Sequence, residues 1–86
     1  MHLVYTLKID DKVIKDLKKI DKTWQTRILS KIRTTLTTDP YSGKKLVGNL
    51  SPFWRIRVGD YRVIYAIEEE IVTVEVVKVK HRKEIS

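Results

Sequence analysis

The stretch Trp54–Tyr65, WRIRVGDYRVIY, constrains this chain more than any other part of it. Apolar residues alternate with arginine on both sides of Gly59-Asp60, which predicts two strands joined by a two-residue loop. Such a loop pairs Val58 with Tyr61, Arg57 with Arg62 and Ile56 with Val63. Alternate residues of a strand share a face, so Arg55 joins Arg57 and Arg62 on one side. Like charges set opposite each other across strands repel. The three arginines are either ordinary solvent-facing residues of a half-exposed sheet or a face that meets a polyanion, with nucleic acid the first candidate.

The charge distribution supports the second reading. The chain has 86 residues and a formal net charge of +7. Residues 1–43 carry a net +4, mostly as helix-surface lysines, residues 44–66 a net +4, residues 67–77 a net −4 and residues 78–86 a net +3. Basic charge is thus bunched in the central strands and the tail, with an acidic turn between them. A chain of this length is expected to form one domain, residues 1–86, around one core. With no cysteine, disulfides and thiolate chemistry are excluded, and packing alone must hold the fold. No apolar run approaches the length of a membrane span, and a cytoplasmic location is expected. Two histidines far apart in sequence give no metal-ligand spacing, and Gly43 and Gly48 do not make a phosphate-binding loop.

Along the chain, His2 to Lys8 alternates as a first strand with Leu3, Tyr5 and Leu7 on one face. Asp10 or Asp11 can cap a helix reaching about Ile20, with Val13, Ile14, Leu17 and Ile20 at helical spacing. Asp21 or Thr23 can cap a second helix reaching about Thr37, with Trp24, Ile28, Leu29, Ile32 and Leu36 inward. Residues 39–52 read as a loop by their proline, glycine and serine content, with a short extended piece beginning at Lys45 and Leu46. Strands are predicted at 53–58, 61–68 and 71–79. The fold class is therefore α+β, in the order β-α-α-β-β-β, with a helical hairpin on one face of a mainly antiparallel four-stranded sheet. The open face is the one that carries Arg55, Arg57 and Arg62.

Lys45-Leu46-x-Gly48, then R-x-G-x-Y-R-x-x-Y (Arg57, Gly59, Tyr61, Arg62, Tyr65), then a valine-rich strand ending in KHRKEI resemble the RelE/ParE superfamily of toxins. These are the toxin halves of bacterial and archaeal toxin–antitoxin pairs. The resemblance implies a cognate antitoxin protein as partner and one of two chemistries. RelE-like members are endoribonucleases that cut translated mRNA in the ribosomal decoding site. ParE-like members inhibit DNA gyrase and are not nucleases. Fold alone does not decide between them.

Carried over by position, the family's strand cations match Arg55 and Arg57, its Tyr-Arg arginine matches Arg62, and its post-strand arginine matches Arg82. His81 stands where many members have histidine, and Lys45 where a basic loop residue is common. RelE-like enzymes also often carry a tyrosine in an H-R-x-x-x-Y arrangement. Here that position is Ser86, which keeps open a third reading, a relic that only binds its antitoxin.

Cleavage of RNA by an attacking 2′-hydroxyl needs a base, positive charge on the phosphorane, and an acid for the leaving oxygen. Arg57, Arg62 and Arg82 suit the charge, since guanidinium stays ionised and matches phosphate bidentately. His81 is the candidate for proton transfer, since histidine is the side chain type that titrates near neutrality. No cofactor or metal is expected. Lys45, Arg55, Phe53 and Lys80 are expected to bind RNA. Phe53 either stacks on a base or packs at an edge, and Lys45 is either a phosphate contact or a solvated loop residue. Glu75 is either a base on the face of Arg62 or an ion-pair partner. His81-Arg82 is otherwise a frayed basic tail. Trp54, Tyr61 and Tyr65 are expected in the core, and His2 and Trp24 have structural roles only. A site rich in cations and poor in base gains when a large partner positions the substrate, which is consistent with the RelE-like reading on the ribosome.

Overall fold

The computed structural model describes residues 4–48 and 52–84. His2 and Leu3 of the expected first strand, residues 49–51 of the loop, and Ser86 lie outside that range.

A sheet of five strands is covered on one face by two helices. The strands are β1 (Thr6–Ile9), β2 (Lys44–Lys45), β3 (Trp54–Val58), β4 (Tyr61–Glu68) and β5 (Thr73–His81), and the helices are α1 (Asp11–Lys18) and α2 (Lys22–Lys31). The spatial order is β1-β5-β4-β3-β2, with β1 parallel to β5 and all other pairs antiparallel. The α+β class and element order agree with expectation. The fifth strand is β2, the short extended piece foreseen one residue later.

Local chemistry explains the helix starts. Asp10 caps α1 by accepting from the Lys12 N–H at 2.8 Å, and Asp21 caps α2 by accepting from the Thr23 N–H at 3.1 Å. α2 continues through a π-helical stretch at Ile32–Leu36. Around it Thr34 and Thr38 return their hydroxyls to the carbonyls of Ser30 and Thr34, which loosens the regular ladder. The wider turn keeps Ile28, Ile32 and Leu36 all fully buried.

These three pack with Val13 and Leu17 of α1 against Ile56, Val63, Tyr65, Val74, Val76 and Val79 of the sheet. Ile14 departs from expectation: it is exposed, because the inward face of α1 is carried by Val13 and Leu17. Tyr65 is fully buried and donates its hydroxyl to the Pro40 carbonyl at 2.6 Å. Burial pushes that hydroxyl up to about 12 by disfavouring the phenolate. The bond ties the loop after α2 to the centre of the sheet, beside the strands that carry the arginines.

Candidate functional site: an arginine cleft beside a cationic groove

The hairpin has the register read from the sequence. Arg57 stands opposite Arg62, Val58 opposite Tyr61 and Ile56 opposite Val63. Gly59 turns the chain with φ of +58°, a conformation that favours glycine. A side chain there would also collide with Trp24, whose Cη2 lies 2.2 Å from the position a Cβ would take. Trp24 of α2 thus covers the turn from the helix layer, and its ring lies 5.8 Å from that of Tyr61.

On β5, Lys80 stands opposite Arg62, so a row of three cations, Arg57, Arg62 and Lys80, crosses three strands on the open face. The next row holds Arg55, Ile64 and Lys78. Between Ile64 and Tyr65 the register slips, leaving Val77 as an extra residue on β5. Beyond the bulge Glu75 stands opposite Ala66 and Lys8, and pairs with the Lys8 ammonium at 3.8 Å. Glu75 is therefore an ion-pair partner, two rows from Arg62.

Two concavities meet on this surface. The first, of about 330 Å³, is lined by Arg57, Gly59, Asp60, Tyr61, Arg62 and Arg82. Arg82 arrives there because its N–H donates to the Asp60 carbonyl at 2.7 Å, folding the chain after β5 over the turn. Its Nη1 lies 3.7 Å from the Asp60 carboxylate. The second is a groove of about 520 Å³ lined by the apolar Leu46, Phe53, Ile64 and Val77, by Arg55, Arg62, Lys78 and Lys80, and by Asp10 with Lys12. Arg62 is the wall common to both. Burial lowers the pKa of Arg55, and the nearby charges of Arg62 and Arg57 lower it further. That crowding of cations is the electrostatic signature of a surface suited to anions.

The structure thus brings Arg57, Arg62 and Arg82 together in the cleft, and Phe53, Arg55 and Lys80 together in the groove. It separates two expected residues from them. His81 stands opposite Tyr61, with ring centroids 5.0 Å apart, and lines a different cleft with Asp16, Lys19 and Asp21 at the α1–α2 junction. The reason is strand alternation: with Lys80 on the face of Arg62, its neighbour must point the other way. His81 Nδ1 accepts from the Lys83 N–H at 3.1 Å, which leaves the neutral ring's proton on Nε2. Lys45 stands opposite Trp54, while Lys44 is the one set opposite Arg55.

Sequence reasoning missed several contributors. Tyr61, expected in the core, is half-buried and lines both the arginine cleft and the His81 cleft. Asp60 was legible only as a turn residue, although its position beside two arginines was a signal. Lys78 and Val77 depend on the bulge, for which the sequence gives no sign.

A model of the ParE toxin of the type II toxin–antitoxin system parDE matches residues 7–86. The chain belongs to the ParE toxin family. It is thereby a member of the RelE/ParE superfamily of type II toxins. No curated protein matches it. Among solved structures, this family member is similar to a chain of the toxin–antitoxin complex RelBE2 from Mycobacterium tuberculosis, with 28% identity over 93% of each chain and a TM-score of 0.87. It is also similar to a chain of the archaeal RelE–RelB complex from Pyrococcus horikoshii, with 28% identity over 92% of this chain and 96% of that one, and a TM-score of 0.70. The isolated Escherichia coli RelE toxin matches at 25% identity over 90% of this chain and 83% of that one, with a TM-score of 0.74.

Proposed function

We propose that this ParE-family toxin is a ribosome-dependent endoribonuclease that cleaves translated mRNA at the decoding site. The observation that carries the reading is the convergence of Arg57, Arg62 and Arg82 on one cleft that shares Arg62 with a cationic, partly apolar groove. The cleft suits a scissile phosphate, and the groove suits the neighbouring base and its flanking phosphates. Phe53 supplies the aromatic surface there, and Arg55 and Lys80 supply charge. The likeness to RelE structures supports the same choice.

In this mechanism the three guanidiniums stabilise the charge that develops on the phosphorane, the largest contribution such a site offers. Asp60, the acid that lines the cleft, is paired with Arg82 at 3.7 Å. His81 lies across the sheet. Proton transfer is therefore the weak part of the site, and a partner that presents the 2′-hydroxyl already aligned compensates for it. That is the role of the ribosome in this reading. The toxin works in the cytoplasm as one domain over residues 1–86, without metal. Its partner is a cognate antitoxin, as in the complexes of its structural relatives, and it silences the toxin by covering the cationic face.

The match to the ParE family favours a second reading, inhibition of DNA gyrase by binding alone. Controlled expression in cells, followed by mapping of new mRNA 5′ ends and of gyrase-linked DNA breaks, separates the two. Cuts within translated reading frames with intact DNA are expected. DNA breaks with intact mRNA would replace the nuclease reading with the gyrase one.

A further inference from the structure

We infer that Asp60 is a positioning residue that directs the Arg82 guanidinium into the arginine cleft; its consequence for catalysis rests on the function proposed above. Arg82 lies beyond the last ladder pair of the sheet, Tyr61 with His81, so the strand itself does not fix it. A chain that leaves a strand at its end frays unless something ties it down. Besides the Lys83 N–H bond to His81 Nδ1, two ties here come from Asp60. Its carbonyl accepts from the Arg82 N–H at 2.7 Å, which fixes where the residue leaves the sheet. Its carboxylate faces Nη1 at 3.7 Å, which fixes where the long side chain points.

Two features argue for orientation as the purpose of this pair. The side chains are 68% and 59% exposed, and an ion pair so exposed adds little to stability. At 3.7 Å the carboxylate also holds the guanidinium by charge without taking up its hydrogen-bonding fork, so donors stay free for a phosphate. Asp60 meanwhile offsets a repulsion that would drive Arg82 outward, since Arg57 and Arg62 line the same cleft. A carboxylate in a phosphate-binding cleft opposes substrate binding, and holding the third arginine in place is what it offers in return.

Asp60→Asn keeps the size and the backbone carbonyl and removes the charge. On programmed ribosomes, kcat is expected to fall about twofold to fivefold as Arg82 loses its direction, no more than an ion pair so exposed can contribute. KM is expected to stay level or fall, because the cleft becomes more positive. A structural defect would not split the constants this way. Asp60→Glu should restore most of kcat, and Asp60→Asn added to Arg82→Ala should cost nothing further. A wild-type kcat in Asp60→Asn, or a full additional loss in the double variant, would overturn the inference. The side-chain 15N relaxation of the Arg82 Nε–Hε group reads positioning without any activity. Its order is expected to drop in Asp60→Asn, and no drop would overturn the inference. If wild type itself fails to cut, the proposed function fails, and the relaxation experiment still decides whether Asp60 positions Arg82.

Discussion

At the scale of single residues, two glycines separate conformation from space. Gly48 and Gly59 both hold positive φ, at 68° and 58°. An alanine at either incurs the left-handed penalty of roughly 1–2 kcal/mol. Around Gly48 a Cβ meets none of the described residues within 4 Å, whereas at Gly59 it meets Trp24 at 2.2 Å. Gly59→Ala is therefore expected to lower the unfolding free energy measured in urea distinctly more than Gly48→Ala, by about a further 1–3 kcal/mol of overpacking. Equal losses would mean that Trp24 does not bear on the turn. In the sequence, Gly59-Asp60 was readable as a turn, but its contact with a tryptophan thirty-five positions earlier was not. The same limit applies to Arg82: its match to the family's post-strand arginine pointed to the site, but the bond to Asp60 that folds it there was not readable.

At the scale of elements, the β3–β4 hairpin was legible because alternation and a two-residue turn together fix a register. The β4–β5 pairing was not. Its connection contains a short 3-10 turn at Glu69–Ile71, followed by Val72 with φ of 47°, and its ladder contains the Val77 bulge. Each shifts the faces of β5, and the facing of His81 depends on their sum. That turn is held by Glu69, whose carboxylate accepts hydroxyl bonds from Tyr5 at 2.5 Å and from Tyr41. Three segments distant in sequence meet in this cluster. The two tyrosines hold Glu69 below the usual carboxylate range, and the carboxylate in turn pushes the Tyr41 hydroxyl up to about 12. A carboxyl whose pKa is lowered on folding stabilises the fold above its unfolded value, and that support is lost as pH falls through the folded value. Denaturation at pH 7 and pH 3 should therefore show a smaller acid loss for Glu69→Gln than for wild type; an equal loss would remove this cluster from the account. The alkaline limb runs the other way: Tyr65, raised to about 12, supports the fold up to about pH 10 and withdraws that support as pH climbs further.

At the scale of the whole molecule, charge is laid out along the strands. The Gly59-Asp60 turn and the cationic rows lie at one end of β4, and the acidic turn that includes Glu69 and Glu70 lies at the other. Along β4 a polyanion is attracted to the first end and repelled from the other, which favours one docking orientation on the open face. Affinity for a short single-stranded RNA is expected to fall with salt, and the slope of log K against log salt should be shallower by roughly 0.7 in Arg62→Ala for each phosphate released. An unchanged slope would place RNA elsewhere on the surface. Among the described residues no helix is long and apolar enough to cross a membrane. The most direct measurement of the central claim is primer extension on a defined mRNA, with and without programmed ribosomes, using wild type and Arg62→Ala. The account predicts cuts that require the ribosome, map to its decoding site and disappear in the variant, while the variant still folds and binds its antitoxin. Full cleavage by Arg62→Ala, or no cleavage by wild type on programmed ribosomes, would contradict it.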